Sequence, residues 1–251
     1  PDDVTAFANF AEAALELFEK GKIDDSSAEK LVQTVAIDPY ARLPVAILMA
    51  YWLEKCEPEK FIEKLGKIAE NHPDSDALAL ALALAYARLE KTEESIKLIE
   101  KTLDALEDSD SYDYGKNYVE LVVHLSELYV KQEDFEAGVD IFDRALSKKK
   151  LQDNFKIRRA AFIFFSQKAE KRDFSLFSGW KERRFYRKMM ESFEEIQRIW
   201  ISDLSGERDS RKLNPFELAP VIEAGKKFDL VENVEDLVLE RLLENPITSK
   251  T

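Results

Sequence analysis

Leu17, Tyr51 and Tyr86 stand 34 and 35 residues apart, and Pro39 and Pro73 stand 34 apart. After each of the first three comes a short polar break: Gly21-Lys22, Lys55-Cys56-Glu57 and Glu90-Lys91-Thr92. A period of this length marks a repeat architecture, in which each unit has an apolar face it cannot bury alone and stacks on its neighbours to do so. Within the period, apolar residues recur at three and four, as in Leu78, Leu82, Ala85, Tyr86 and Leu89, or Phe185, Met189, Phe193, Ile196, Trp200 and Leu204. That is helical spacing. Only Ala77 to Leu84 alternates over a strand's length; the alternation there is of Ala with Leu, two strong helix formers, so helix is predicted there too.

Punctuation along the chain agrees. Seven glycines and eight prolines among 251 residues are roughly half the usual combined usage, so turns are few. Pro44 and Pro58 sit where they can open helices, since a first-turn residue needs no amide partner. No proline falls between Pro73 and Pro215, which leaves room for long helices and short turns. The nearest two glycines, Gly206 and Gly225, are 19 residues apart, which excludes a glycine-rich phosphate cradle or dinucleotide fingerprint. The single cysteine, Cys56, excludes an internal disulfide, and His72 and His124 give no zinc-ligand spacing, so packing alone must hold the fold and no cofactor is expected. The longest apolar run, Ala77 to Ala87, is short of the ~18 residues a membrane helix needs. Hydrophobic residues make up 45% of the chain and charged ones 35%, a soluble globular balance. Absence of disulfides fits the cytoplasm, with a periplasmic or processed secreted form as the alternative. The chain opens at Pro1 rather than methionine, which points to trimming or processing and leaves any targeting segment outside it.

A fourth copy of the period is anchored at Tyr129. Its stretch Leu128-Tyr129-Val130-Lys131-Gln132-Glu133-Asp134-Phe135-Glu136-Ala137, followed by Ala145-Leu146, resembles the tetratricopeptide repeat, whose helix pair meets at a turn of this wording. Ala85-Tyr86 with Ile96 to Leu103, and Ala36-Ile37-Asp38-Pro39 closing the first unit, carry the same resemblance. It covers about residues 5 to 148 and, more weakly, Asn154 to Phe174. What it implies is an all-α, helix-pair repeat solenoid, a right-handed superhelix with a helical C-terminal cap. The array would span 1–212, regular to about 148 with an irregular basic unit at 149–212, and a capping helix pair would fill 213–251 of the same globular body. The step from Tyr86 to Tyr129 is 43 residues, and the excess falls in the acidic stretch Asp104 to Tyr114. The small residue that lets paired helices approach is present as Ala83 and Ser126, whereas Phe165 takes that place in the fifth unit.

The family's ligands usually lie on the face built from the first helix of each pair. Carried over position by position, that face is Arg42, Val45, Met49 and Leu53 in the second unit, Ala77, Leu80, Leu84 and Arg88 in the third, and Glu120, Val123, Glu127 and Lys131 in the fourth. Members that hold the C-terminal carboxylate of heat-shock chaperones place Lys and Asn at the two middle positions. Here those are Val45, Met49, Leu80, Leu84, Val123 and Glu127, so that activity is not implied.

Charge changes sign along the chain. Residues 1 to 147 carry 15 Lys+Arg against 32 Asp+Glu, and residues 148 to 212 carry 18 against 10. Arg158, Arg159, Arg183, Arg184, Arg187 and Lys188 interleave with Phe155, Phe174, Phe177, Trp180, Phe185 and Tyr186. Such a mixture can grip phosphates and stack bases, or grip an acidic partner. It also suits aromatics that are core beside arginines that form a solvated face or pair with the acidic N-terminal units, and the acidity of the whole chain counts against nucleic acid.

Three smaller constellations come to less. Glu120, His124 and Glu127 share a helix face, but a metal in a helical bundle needs ligands from facing helices too, and His72 stands in a turn beside Pro73. Asp108 to Gly115 has the acidic density of a calcium loop, yet Asp113 stands where the tight turn needs glycine and Val119 where the glutamate clamp belongs. Cys56 has no neighbouring histidine or basic cluster to activate it, and neither histidine sits in a nucleophile motif, so no catalytic residue is nominated. The expectation is a non-enzymatic protein-interaction scaffold with an apolar groove for a partner helix or extended apolar peptide. Two alternatives stand beside it: nucleic-acid or acidic-partner binding through residues 156–188, and a self-assembling homo-oligomer.

Overall fold

The computed structural model describes residues 15, 18, 23–108, 115–152, 154–170, 180–204, 219–228 and 230. Among them are ten α-helices, one short 3-10 turn and no strand. The helices are α1 (Asp25–Ile37), α2 (Arg42–Glu54), α3 (Pro58–Asn71), α4 (Asp76–Arg88), α5 (Thr92–Glu107), α6 (Lys116–Lys131), α7 (Phe135–Ser147), α8 (Phe155–Glu170), α9 (Trp180–Leu204) and α10 (Ala219–Lys226), with the 3-10 turn at Lys149–Leu151. Two compact units divide the chain, Pro1–Leu128 and Tyr129–Thr251.

Local chemistry sets the helix ends. Asp24 caps α1 by accepting the Ser27 amide at 2.8 Å, Pro58 is the first residue of α3, and Asp134 caps α7 by accepting the Ala137 amide at 3.1 Å. Ser75 caps α4 and also donates its hydroxyl to the Pro39 carbonyl at 2.7 Å, which ties together two successive turns within the first unit. Three helix pairs turn through the same device. Cys56, Glu90 and Glu133 take positive φ (56°, 59° and 60°), and the amides that follow them bond back to Trp52, Tyr86 and Tyr129 at 2.9, 3.0 and 2.9 Å. With the bonds of shorter sequence span from Cys56 to Leu53, Glu90 to Ala87 and Glu133 to Val130, this is the Schellman closure of a helix C-terminus. The polar breaks after Tyr51, Tyr86 and Tyr129 are therefore left-handed turns, and the one expected at Gly21 lies outside the described residues.

In the first unit, Leu31, Leu48, Trp52, Phe61, Leu65, Leu78 and Leu82 are fully buried in one cluster, with the Trp52 and Phe61 rings edge to face at 5.7 Å. At Ala83 the paired helices approach closely enough for the Ser95 hydroxyl to reach its carbonyl at 3.2 Å, the small-residue contact the repeat needs. Tyr51 and Tyr129 are buried as anchors, but Tyr86 is only half-buried. The Tyr51 hydroxyl donates to Asp25 at 2.8 Å, and Lys55 closes a triad on both. The hydrogen bond from Tyr51, then that from Lys55, holds the Asp25 carboxyl below its ordinary pKa, and hydrogen bonds to Tyr51 and Asp25 push Lys55 up to about 12.

The second unit is built on aromatics. Phe135, Phe142, Phe162, Phe164, Phe165, Phe185 and Phe193 are all buried, with Phe142 at 5.5 Å from Phe164 and Phe162 at 5.3 Å from Phe193. Phe165 is accommodated by packing on Phe142 of α7, Phe164 of its own helix and Phe185 of α9. Gly138 supplies the close approach, since a Cβ there would lie 2.0 Å from Cζ of Phe164. Of the C-terminal pair expected over residues 213–251, α10 is described, with Val221 buried; Val231 to Leu243 lies outside the described residues.

Candidate interaction surface

The first helices of the first unit, α2, α4 and α6, have an unusual distribution of apolar side chains. On α4, Leu78, Ala79, Ala81, Leu82, Ala83 and Ala85 are buried, and besides Tyr86 what reaches solvent is the stripe Leu80, Leu84, Ala87 and Arg88. Leu80 and Leu84 are half-exposed, Arg88 exposed, and Ala77 is buried. The matching stripe on α2 is Arg42, Ala46, Met49, Ala50 and Leu53. Met49 is partly buried against the core, whereas Val45, at 2% exposure, belongs to the core itself, and Ala46 takes the outward place expected of it. On α6 Glu120 and Val123 are partly exposed and Glu127 exposed, and Lys131 is exposed in that helix's last turn, beyond the unit's boundary.

A buried carboxylate joins these helices. Asp76, whose side chain is 11% exposed, accepts Nη2 of Arg42 at 3.2 Å and Nδ2 of Asn117 at 3.0 Å, so one residue at the start of α4 bonds the first turns of both α2 and α6. The Arg42 side chain remains 60% exposed, held from one side with the rest of the guanidinium in solvent. Alongside, the Tyr40 hydroxyl donates to Asp74, and both pairs, Tyr40 with Asp74 and Arg42 with Asp76, span 34 residues. Sequence reasoning missed Asp76, Asn117 and Ala46; the signal for the first was there, because Arg42 and Asp76 fall one repeat period apart.

On α6, His124 Nδ1 lies 3.6 Å from a Glu127 carboxylate oxygen, and its buried Nε2 has no hydrogen-bond partner. No group of three His, Cys, Asp or Glu able to hold a metal occurs among the described residues. None of the described helices is long and apolar enough to cross a membrane.

The basic segment lies in the second unit. Arg184 reaches Glu136 at 3.8 Å and Asp143 at 3.9 Å, and Lys188 pairs with Asp143. Lys168 sits over the Phe135 ring at 4.4 Å, while Arg187 pairs along its own helix with Glu191 at 3.6 Å. Arg158 donates Nε to the Gln152 carbonyl at 2.9 Å, and Arg159 is half-buried on the same helix. Phe185 is core and Tyr186 exposed, while the side chains of Arg183 and Trp180 lie outside the described residues.

Helix pairs of this length and turn make a helical repeat. No family model and no curated protein matches the chain. Among solved structures it is similar to one described as MamA MSR-1 C2, at 15% identity and TM-score 0.44 over 77% of this chain and 98% of that one. A second, a crystal structure of MamA, gives 13% identity and TM-score 0.46 over 74% and 96%. A third, a tetratricopeptide repeat protein from Parabacteroides merdae ATCC 43184, gives 12% identity and TM-score 0.42 over 98% and 95%.

Proposed function

We propose that this chain is a non-enzymatic protein-interaction scaffold that receives an amphipathic helix or extended apolar segment on the outward face of its first helices. The observation that carries the reading is the stripe on α4. A helix so nearly surrounded has every opportunity to bury its leucines, yet Leu80 and Leu84 stay partly exposed, as do Met49 and Leu53 on α2. Apolar side chains aligned at a solvent boundary lower the cost of adding another apolar surface, since each square ångström covered adds about 25 cal/mol. Arg42 and Arg88 at the margins would act mainly on association rate and partner choice.

Charge substitution tests it. Replacing Leu80 and Leu84 by Glu is expected to leave the helical signal and cooperative unfolding intact, because carboxylates there stay in contact with water, while abolishing capture of the partners that the parent retains from its native cell extract. The same exchange at Leu78 and Leu82 is expected to unfold the chain through unpaired buried charge. A folded Leu80→Glu, Leu84→Glu protein that retains every partner overturns the reading.

A further inference from the structure

The charges around the apolar stripe have an order that further restricts what can lie on it. Among the described side chains of α2 and α4, the ionic groups exposed along the stripe are Arg42 at the start of α2 and Arg88 at the end of α4. Arg42 is fixed in place by the nearly buried Asp76, which leaves the greater part of its guanidinium turned to solvent. Between these two cations lie Ala46, Met49, Ala50, Leu53, Leu80 and Leu84, all uncharged. By the repeat register, Arg88 stands level with Leu53, eleven residues beyond Arg42, or about 16 Å along the helix axes at 1.5 Å per residue. The sign reverses on the next first helix, where Glu120 and Glu127 occupy the outward positions. The first unit as a whole is strongly acidic, with 13 Lys+Arg against 27 Asp+Glu over residues 1–128, so the two arginines are local exceptions in a repelling field.

We infer that the α2–α4 face takes an amphipathic helical segment whose apolar stripe is bracketed by two carboxylates about eleven residues apart. The inference rests on the scaffold reading above and adds the partner's charge pattern to it. Eleven residues are close to three helical turns, so both carboxylates project from the same side as the apolar residues between them. Each can then meet one arginine while the leucine-type side chains cover Leu80, Leu84 and Met49. A segment flanked by lysines would meet both arginines with like charge. Glu127, exposed on α6, disfavours an acid-flanked segment there and so favours α2 and α4.

The test uses three synthetic helical peptides with the same apolar stripe: one with glutamates eleven residues apart at its ends, one with lysines there, and one with the two glutamates brought a single turn apart. Binding to the full chain is followed by fluorescence anisotropy at low and at moderate salt. The widely spaced glutamate peptide is expected to bind at least about tenfold more tightly than either of the others, with the preference shrinking as salt rises. Arg88→Glu is expected to erase the preference over the lysine peptide, since each peptide then meets one like and one opposite charge, and Arg42→Gln to weaken the glutamate peptide. Equal affinities for the three peptides overturn the charge assignment and leave the apolar face standing. Absence of binding by all three, with the parent folded, overturns the apolar-face reading and this inference together.

Discussion

Glu90 carries a cost that its own chemistry does not require. At φ 59° its Cβ crowds the following carbonyl, and glycine, the usual occupant of such a turn, has no Cβ to crowd it. Glu90→Gly is expected to raise the stability of the first unit by about 0.5–1 kcal/mol, and Glu90→Val to lower it, as read from denaturant midpoints. The Asp25–Tyr51–Lys55 triad makes a second residue-scale statement, this time about pH. Lys55 binds its proton more tightly folded than unfolded, so its contribution is complete below about pH 10.5 and disappears as pH rises from there to about 12. Asp25 has the opposite sign: its lowered pKa stabilises the fold above the ordinary carboxylate value of 3.8 and ceases to do so as pH falls through the folded value. The difference in melting temperature between the parent and Lys55→Met is therefore expected to be present at pH 9 and to close between pH 10.5 and 12.

At the scale of elements, the contact between α7 and α8 decides how tightly the second unit can pack. Helix propensity alone makes Gly138 a defect that alanine would repair by about 1 kcal/mol. The geometry gives the opposite sign, because the added methyl would stand 2.0 Å from the ring of Phe164, itself wedged against Phe135 and Phe142. Gly138→Ala is expected to destabilise the second unit by about 1–3 kcal/mol, the usual range for an overpacked core. Hydrogen exchange localises the effect: amides of α7 and α8 should lose protection while those of α1 to α4 keep theirs. Equal or higher protection in α7 would mean that the aromatic cluster yields at little cost.

The whole chain pairs an acidic first unit with a second in which 24 Lys+Arg nearly balance 23 Asp+Glu. Inside that second unit the balance is local, since Glu136 and Asp143 of α7 hold Arg184 and Lys188 of α9. Reversing both cations with Arg184→Glu and Lys188→Glu is expected to lower the unit's stability by about 1 kcal/mol at low salt and by less in 1 M salt, where partly exposed pairs are screened. A basic segment given over to nucleic acid would respond differently, losing low-salt oligonucleotide binding with its stability unchanged. The two measurements on one variant separate a cation that holds the fold from a cation that holds a ligand.

The period, the helices and their turns were legible in the chain because each depends on residues close in sequence. Schellman closures at Cys56, Glu90 and Glu133 need only a local left-handed residue, and the outward side of α3 is marked by Glu59, Glu63, Lys67 and Glu70. On α2 that marking fails. Leu43, Val45, Ile47, Leu48, Met49, Tyr51, Trp52 and Leu53 are apolar on every side of the helix, so no polar face shows which way it turns. Neighbouring residues on a helix differ by about 100°, and only the packing of α1, α3 and α4 around α2 settled that Val45 faces the core and Ala46 the solvent. The clasp of Arg42 and Asn117 on Asp76, and the capture of Arg184 and Lys188 by α7, were likewise decided by tertiary structure. Sequence supplies the charges, but which opposite charges come within a few ångströms depends on how helices distant in the chain are brought side by side.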